Sequence, residues 1–288
     1  MQLEQREIYK LASLAVTQWP PSLLKDLRPH WQQTLKDDKN GFISLLPTKI
    51  LSPAQINITN KKYSRRLGAA NLYLWTAANL QDDLSDEENT PKEYLPLANA
   101  CLRTAWHLSL TKTVSSATRL SWEKLMLSVD QANWQESKYP KKTSINKIGA
   151  ANKSSFLLAS IVLLIARLDW SKTEQGLLIK AFKYLLAAKQ WADDVYDYCD
   201  DWLAGKRNYA HLGLTKLPTT QELPAYYQKQ AHIILNLCRQ SRQTLKKIPV
   251  LKNQDCFDDY LKPLEANCYR ALANLKLPAV LTDKYPKK

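Results

Sequence analysis

Apolar positions along this chain recur at intervals of three and four, the period of a helix with one buried face. The pattern predicts helices over residues 2–17, 22–36, 61–86, 93–111, 115–136, 144–168, 173–203, 221–246 and 255–275. The period stops where proline, glycine or short polar clusters take over. These breaks are WPPS at 19–22, KDDKNG at 36–41, LPTKILSP at 46–53, ENTP at 88–91, KYPKK at 138–142 and KLPTTQELP at 216–224. No solenoid repeat is present, and no linker is long enough to separate a pair of domains. The expected fold is all-α, a single helical domain over residues 1–288.

Two of these helices depart from the ordinary amphipathic pattern. From Leu67 to Gln81 no residue is charged, and the run then ends in Asp82, Asp83 and Asp86. On a helical projection Tyr73, Ala77, Leu80 and Leu84 share one stripe, while Trp75, Ala78, Asn79, Asp82 and Asp86 lie on the other side. Far along the chain, LLAAKQWADDVYDYCDDWLAGKRN at 185–208 repeats the Asp-Asp-x-x-Asp spacing as Asp193, Asp194 and Asp197, followed by Asp200 and Asp201. Asp193, Asp197 and Asp201 fall one turn apart with Gln190 near their N-terminal end, and Trp191, Val195, Tyr198 and Trp202 form an apolar stripe. Helices of this kind are expected to line a deep apolar cavity whose mouth is ringed by carboxylates.

Carboxylates at such spacing repel one another by roughly 4 kcal/mol per pair at ~4 Å and an effective dielectric near 20, before screening. The first cluster also sits at a helix C-terminus, where the dipole disfavours anions. Either water screens the charge or a hard cation does, and Mg²⁺ binds through one or two carboxylates plus substrate phosphates. One acidic run alone reads as a solvated helix face. Its recurrence with the same spacing, each time ending an apolar helix, is what points to metal. A calcium loop is excluded, because DDLSDEENTPKE puts Leu84 where an oxygen ligand is needed and lacks the central glycine.

Composition narrows the picture further. Only six of 288 residues are glycine, which argues against turn-rich β folds and glycine-cradled nucleotide sites. A net charge of +14 suggests an anionic partner. The bases are scattered rather than interleaved with aromatics on one face, and two dense acidic clusters oppose a phosphate backbone. A basic nucleic-acid-binding helical protein is therefore the competing class, and no nucleic acid is the expectation. Five dispersed cysteines without a CxxC pair read as reduced thiols of a cytoplasmic protein. Residues 154–167, SSFLLASIVLLIAR, are too short to span a bilayer comfortably and read as a buried core helix. The N-terminus shows no apolar signal region. His30, His107, His211 and His232 lack metal-ligand spacing and receive no role.

The residues resemble the class I isoprenoid synthases, and among them the trans-prenyltransferases, the polyprenyl diphosphate synthases. LQDDLSDEENT at 80–90 is similar to that family's first aspartate-rich motif and KQWADDVYDYCDD at 189–201 to its second, with Gln190 to Asp197 fitting position for position. GKRN at 205–208 and NKSSFLLAS at 152–160 resemble its glycine–lysine and lysine-bearing segments. The resemblance implies an α-helical bundle or barrel around a deep apolar pocket. Asp82, Asp86, Asp193 and Asp197 would hold Mg²⁺, and Asp83, Asp194, Gln190 and Lys153 would complete the catalytic set. Lys92, Lys153, Lys206 and Arg207 would bind diphosphate, and Trp75, Ala78 and Asn79 would line the substrate pocket. The implied substrates are an allylic prenyl diphosphate and isopentenyl diphosphate, and a homodimer stays open. Trp75 would limit product length as the pocket floor, or else it simply packs in the core.

The chain departs from the family's pattern in three places. Pro91, Lys92 and Glu93 stand where the family carries Arg-Arg-Gly, its upstream Gly-Lys-x-x-Arg is missing, with only DKNG at 38–41, and the segment between the two motifs is shorter. Arg65 and Arg66 lie about 24 Å down the helix from Asp82 and do not substitute. Terpene cyclases, which need no second diphosphate site, and squalene/phytoene synthase-like enzymes therefore remain alternatives, as does a silent partner subunit.

Overall fold

A computed structural model describes residues 2–86, 91–111, 114–138, 147–168, 170–206, 208–251 and 255–274. The α-helices are α1 (Gln2–Ala15), α2 (Pro21–Asp37), α3 (Leu46–Lys49), α4 (Ile58–Asp86), α5 (Tyr94–Ser109), α6 (Ser116–Lys138), α7 (Leu158–Arg167), α8 (Lys172–Tyr196), α9 (Tyr198–Leu203), α10 (Leu223–Leu245) and α11 (Asp258–Asn274). No strand occurs among the described residues. Chain contacts separate two compact units, one of residues 1–126 and 156–175, the other of residues 127–155 and 176–288.

The first unit is organised around α4, against which α1, α2, α3, α5 and α7 pack. The uncharged stretch explains this centrality: Leu67, Ala69, Ala70, Leu72, Tyr73, Ala77 and Leu80 are fully buried. Gly68 is required where the chain approaches α4, since a Cβ there would lie 2.2 Å from the Ser44 carbonyl oxygen. The KDDKNG break is held by the buried carboxylate of Asp38, which accepts from the backbone N–H groups of Ile43 (2.7 Å) and Ser44 (3.0 Å) and from the Tyr9 hydroxyl (2.9 Å). Gly41, at φ 66°, supplies the left-handed residue of that turn. Arg65 grips Glu4 of α1 through two bonds of 2.7 and 2.8 Å. Arg66 donates to the carbonyls of His107 and Leu108 at the end of α5. Both arginines therefore do structural duty. In α7 every residue from Leu158 to Ile165 except Val162 is buried, as a core helix requires.

In the second unit α10 and α11 pack together, tied by Arg242 to Asp258 (2.9 Å) and Glu265. The unit's portion of α8 buries Phe182 against Phe257 and Trp191, whose indole N–H donates to Gln230 (2.7 Å). Ser241 donates to the Ala181 carbonyl (2.9 Å).

Three segments differ from the periodicity. The predicted helix at 144–168 is α-helical only from Leu158, and residues 144–146 lie outside the described residues. Before it run two 3₁₀ turns, Lys147–Ala151 and Lys153–Leu157, where Gly149, Asn152, Ser154 and Ser155 are weak helix formers. Ser155 turns its hydroxyl back on the Ala151 carbonyl (2.6 Å). The helix predicted at 173–203 is interrupted at Asp197. The LPTKILSP break contains α3 and a 3₁₀ turn at Pro53–Gln55, each started by a proline in its first turn. No helix among the described residues is long and apolar enough to cross a membrane. Cys101, Cys238, Cys256 and Cys268 are buried and Cys199 is half-buried, and none of the five is in a disulfide.

Candidate functional site

The C-terminal half of α4 turns its two faces as the periodicity predicts. Tyr73, Ala77 and Leu80 are buried, Trp75, Ala78 and Asn79 are half-buried, and Asp82 and Asp83 emerge exposed. Asp86 closes the helix, but its side chain, like residues 87–90, lies outside the described residues. Trp75 is fixed at both ends. Its indole N–H donates to Asp37 of α2 (2.9 Å), and its ring meets Phe156 edge-on at 6.0 Å between centroids. Lys92 is exposed in the turn before α5.

Sequence reasoning passed over His30. Its ring sits T-shaped against Tyr94 at 4.6 Å, half-buried on α2. Burial holds its pKa below the usual imidazole range, opposed by the negative charge of Asp83. Nothing in the spacing of residues so far apart signals that neighbour.

The second motif splits into two populations. Asp193 and Asp197 are exposed. The backbone bonds Asp197 N–H to Asp193 C=O (3.1 Å) and Asp201 N–H to Asp197 C=O (3.0 Å) keep the helical turn through the α8–α9 interruption. Those carboxylates therefore stay one turn apart on one face. Asp194 behaves differently. It is buried, accepts from Gln190 Nε2 (2.8 Å) and from the Tyr209 N–H (2.6 Å), and its pKa is pushed up to about 7. Burial is the main cause, aided by the charges of Asp193 and Asp201 and opposed by the two hydrogen bonds. Gln190 thus pairs with Asp194, not with the exposed carboxylate line.

The chain after α9 folds back onto this motif. Lys206 N–H bonds to Asp201 C=O (2.8 Å) and Gly205 N–H to Trp202 C=O (3.1 Å), a Schellman stop with Gly205 at φ 66°. Asn208, 1 % exposed, donates to the Asp194 carbonyl (2.7 Å) and the Asp201 carboxylate (2.8 Å) while accepting from the Ala210 N–H (2.8 Å). Ala210 C=O accepts from Tyr226 and Gln230, and the His211 ring nitrogen bonds the Tyr198 carbonyl (2.5 Å). Asn208 and His211 were not singled out from the sequence. Lys206 is exposed, Lys153 is half-buried in its 3₁₀ turn, and Arg207 lies outside the described residues.

The donor chemistry suits a hard cation. Asp82, Asp83, Asp193 and Asp197 are exposed, and the buried Asp194 accepts from Gln190 and the Tyr209 N–H. Among the described residues no three His, Cys, Asp or Glu side chains gather at one point. A magnesium ion on one or two of these carboxylates would complete its shell with water and phosphate oxygens. Compared with known proteins, the chain matches no family model, no curated protein and no solved structure.

Proposed function

We propose that the chain is a magnesium-dependent class I isoprenoid synthase that ionises an allylic prenyl diphosphate, in the trans-prenyltransferase manner, for condensation with isopentenyl diphosphate. One observation carries the reading: the same Asp-Asp-x-x-Asp spacing occurs twice, each time on a helix whose apolar face is buried and whose Asp82 and Asp83, or Asp193 and Asp197, are exposed. Asp82, Asp86, Asp193 and Asp197 would be the ligands. Magnesium, when bound, supplies charge neutralisation for the departing diphosphate. Lys153, Lys206 and Arg207 add positive charge for the same anion, and Lys92 contributes one base where the family has two. Asp194 and Gln190 act from behind, Asp194 holding the Tyr209 N–H and Gln190 holding Asp194. Trp75, Ala78 and Asn79 offer a half-buried surface for the prenyl chain.

A second reading, terpene cyclisation, is favoured by Pro91, Lys92 and Glu93 in place of Arg-Arg-Gly, since a cyclase needs no site for isopentenyl diphosphate. Incubation with Mg²⁺ and geranyl or farnesyl diphosphate, with and without isopentenyl diphosphate, separates the two. A longer diphosphate means elongation, and a hydrocarbon or alcohol from the allylic substrate alone means cyclisation. Asp82→Asn or Asp193→Asn should lower turnover at least about a hundredfold if each carboxylate acts in the transition state. Absence of any Mg²⁺-dependent consumption of either substrate overturns the proposal.

A further inference from the structure

Isoleucine is among the residues most often buried, yet Ile58, the first residue of α4, is 88 % exposed. Ile56, two residues earlier, is 56 % exposed. Neither sits on a loose loop. Pro53–Gln55 form a 3₁₀ turn closed by a capping box between Ser52 and Gln55. The Gln55 carbonyl accepts from the Asn60 amide (3.0 Å), and the Asn57 side chain caps α4 by accepting from the Asn60 N–H (2.8 Å). The bend that carries the isoleucines is thus bonded into place. It holds them out in water, where apolar surface gains nothing unless something covers it.

The charges behind this tip are of one sign. Between Asp38 and Asp82 the sequence holds Lys39, Lys49, Lys61, Lys62, Arg65 and Arg66 and no acid. Lys61 and Lys62 are exposed three and four residues on from Ile58, on its side of the helix. Arg167, at the end of α7, donates to the Asn60 side chain (3.4 Å) and lies over the buried Tyr63 ring at 5.2 Å. It therefore adds its charge to the same end of the first unit. Glu4 and Glu7 of α1 answer Lys61 and Arg65, while among the described residues Lys62 and Arg66 pair with no carboxylate.

Two apolar side chains at a helix start, with bases a turn further in, fit one kind of surface. In an anionic bilayer the hydrocarbon begins beneath a layer of negative headgroups, so both kinds of side chain are met at once. A second copy seated tip to tip would set Lys61 and Lys62 against their own equivalents, with no acid in the segment to answer them. A nucleic acid would take the bases and leave the isoleucines in water. A stable protein interface covers about 800 Å² a side, far more than two side chains supply. We propose that the start of α4 is a membrane-docking tip, in which Ile56 and Ile58 enter the acyl boundary of an anionic bilayer while Lys61 and Lys62 meet its headgroup phosphates. The net charge of +14 draws the chain to such a surface. The tip lies about 36 Å along α4 from Asp82, and the proposal does not rest on the enzymatic reading.

Cosedimentation of the full chain with vesicles of phosphatidylcholine, pure or with about one third phosphatidylserine, measures the docking, and the anionic vesicles should bind at least about tenfold more strongly. Ile56→Ser combined with Ile58→Ser leaves the charge unchanged and should weaken that binding at least about tenfold. Both side chains already stand largely in water, so the urea midpoint of this variant should hold. Lys62→Glu should weaken binding to the anionic vesicles about tenfold and leave the neutral ones as they were. Ile58→Trp should strengthen binding by about threefold or more, a gain that a damaged fold cannot mimic. Leu127→Ser, at a 67 % exposed position among charges of both signs, should change nothing. The proposal is overturned if anionic vesicles do not bind the chain, or if the serine pair leaves binding intact, as the diffuse charge alone would. Self-association without lipid that the serine pair abolishes gives the tip to a second copy, and overturns it equally.

Discussion

Replacing Asn208 with alanine tests whether the segment after α9 is clamped onto the second motif as described. The side chain is 1 % exposed and makes three hydrogen bonds of 2.7–2.8 Å, to the Asp194 carbonyl, the Asp201 carboxylate and the Ala210 N–H. A neutral bond contributes about 0.5–1.5 kcal/mol net, a bond to a charged group about 1.5–3, and each buried group left without a partner costs about 1–3. The Asp201 carboxylate is only half-buried, so water recovers much of its loss. The Ala210 N–H, on a fully buried residue, has no such recourse. The Asp194 carbonyl also belongs to a buried residue. Asn208→Ala is therefore expected to cost about 3–5 kcal/mol, read as a lower urea midpoint at unchanged slope. Amide exchange localises the effect: the Ala210 N–H should lose protection before the core amides of α8 and α10. Asn208→Asp keeps the acceptor for Ala210 but sets an anion beside Asp201, so its deficit should shrink as the solution is acidified. A loss below about 1 kcal/mol in Asn208→Ala, with the Ala210 amide still protected, refutes the clamp.

Three further outcomes follow. Asp194 is an acid whose folded pKa, about 7, lies above the unfolded value of about 3.9, so the folded state binds the extra proton between those limits. Its contribution is full below about pH 4 and is lost as pH rises through about 7; Asp194→Asn should gain on the native chain by several kcal/mol between pH 4.5 and 8, and a difference in urea midpoint that ignores pH refutes the assignment. Gly68→Ala forces a Cβ to 2.2 Å from the Ser44 carbonyl and should cost about 2–3 kcal/mol in the same assay, an unchanged midpoint being inconsistent with that approach. Trp75→Ala should lengthen the product if Trp75 bounds the prenyl chain, and unchanged product length in a folded variant returns it to ordinary packing against Phe156 and Asp37.

The helices were legible because burial and period are the same fact. Leu67 to Gln81 reads as a buried helix from its lack of charge alone, and α4 is the element around which its unit packs. The α7 run was legible for the same reason. What the period does not encode is the local competition at helix ends. Gly149, Asn152 and the serines before Leu158 support 3₁₀ bonding at the same apolar spacing that suggests a continuous helix. Asp197 keeps the backbone bonding of a helix while leaving helical geometry for one residue, so the sequence shows one helix where the structure has two.

The site shows where one-dimensional reasoning stops more sharply. Five aspartates between 193 and 201 are chemically identical in the sequence, and helical projection separates them only by angle. The separation that matters is set from outside the helix, by a segment that returns over it. Because the chain stops at Gly205 and doubles back, the Tyr209 N–H and the Asn208 amide reach Asp194 and Asp201, while Asp193 and Asp197 face water. Burial then raises the pKa of Asp194 and leaves its neighbours to the solvent. The glycine that a family resemblance reads as belonging to a diphosphate-binding Gly-Lys is, physically, the left-handed residue that makes this return possible. The two readings are compatible, and they order the causes. Drawing Asp194 inward, where Gln190 and a backbone N–H satisfy it and its raised pKa lets it shed its charge, takes one of the mutually repelling carboxylates out of the cluster.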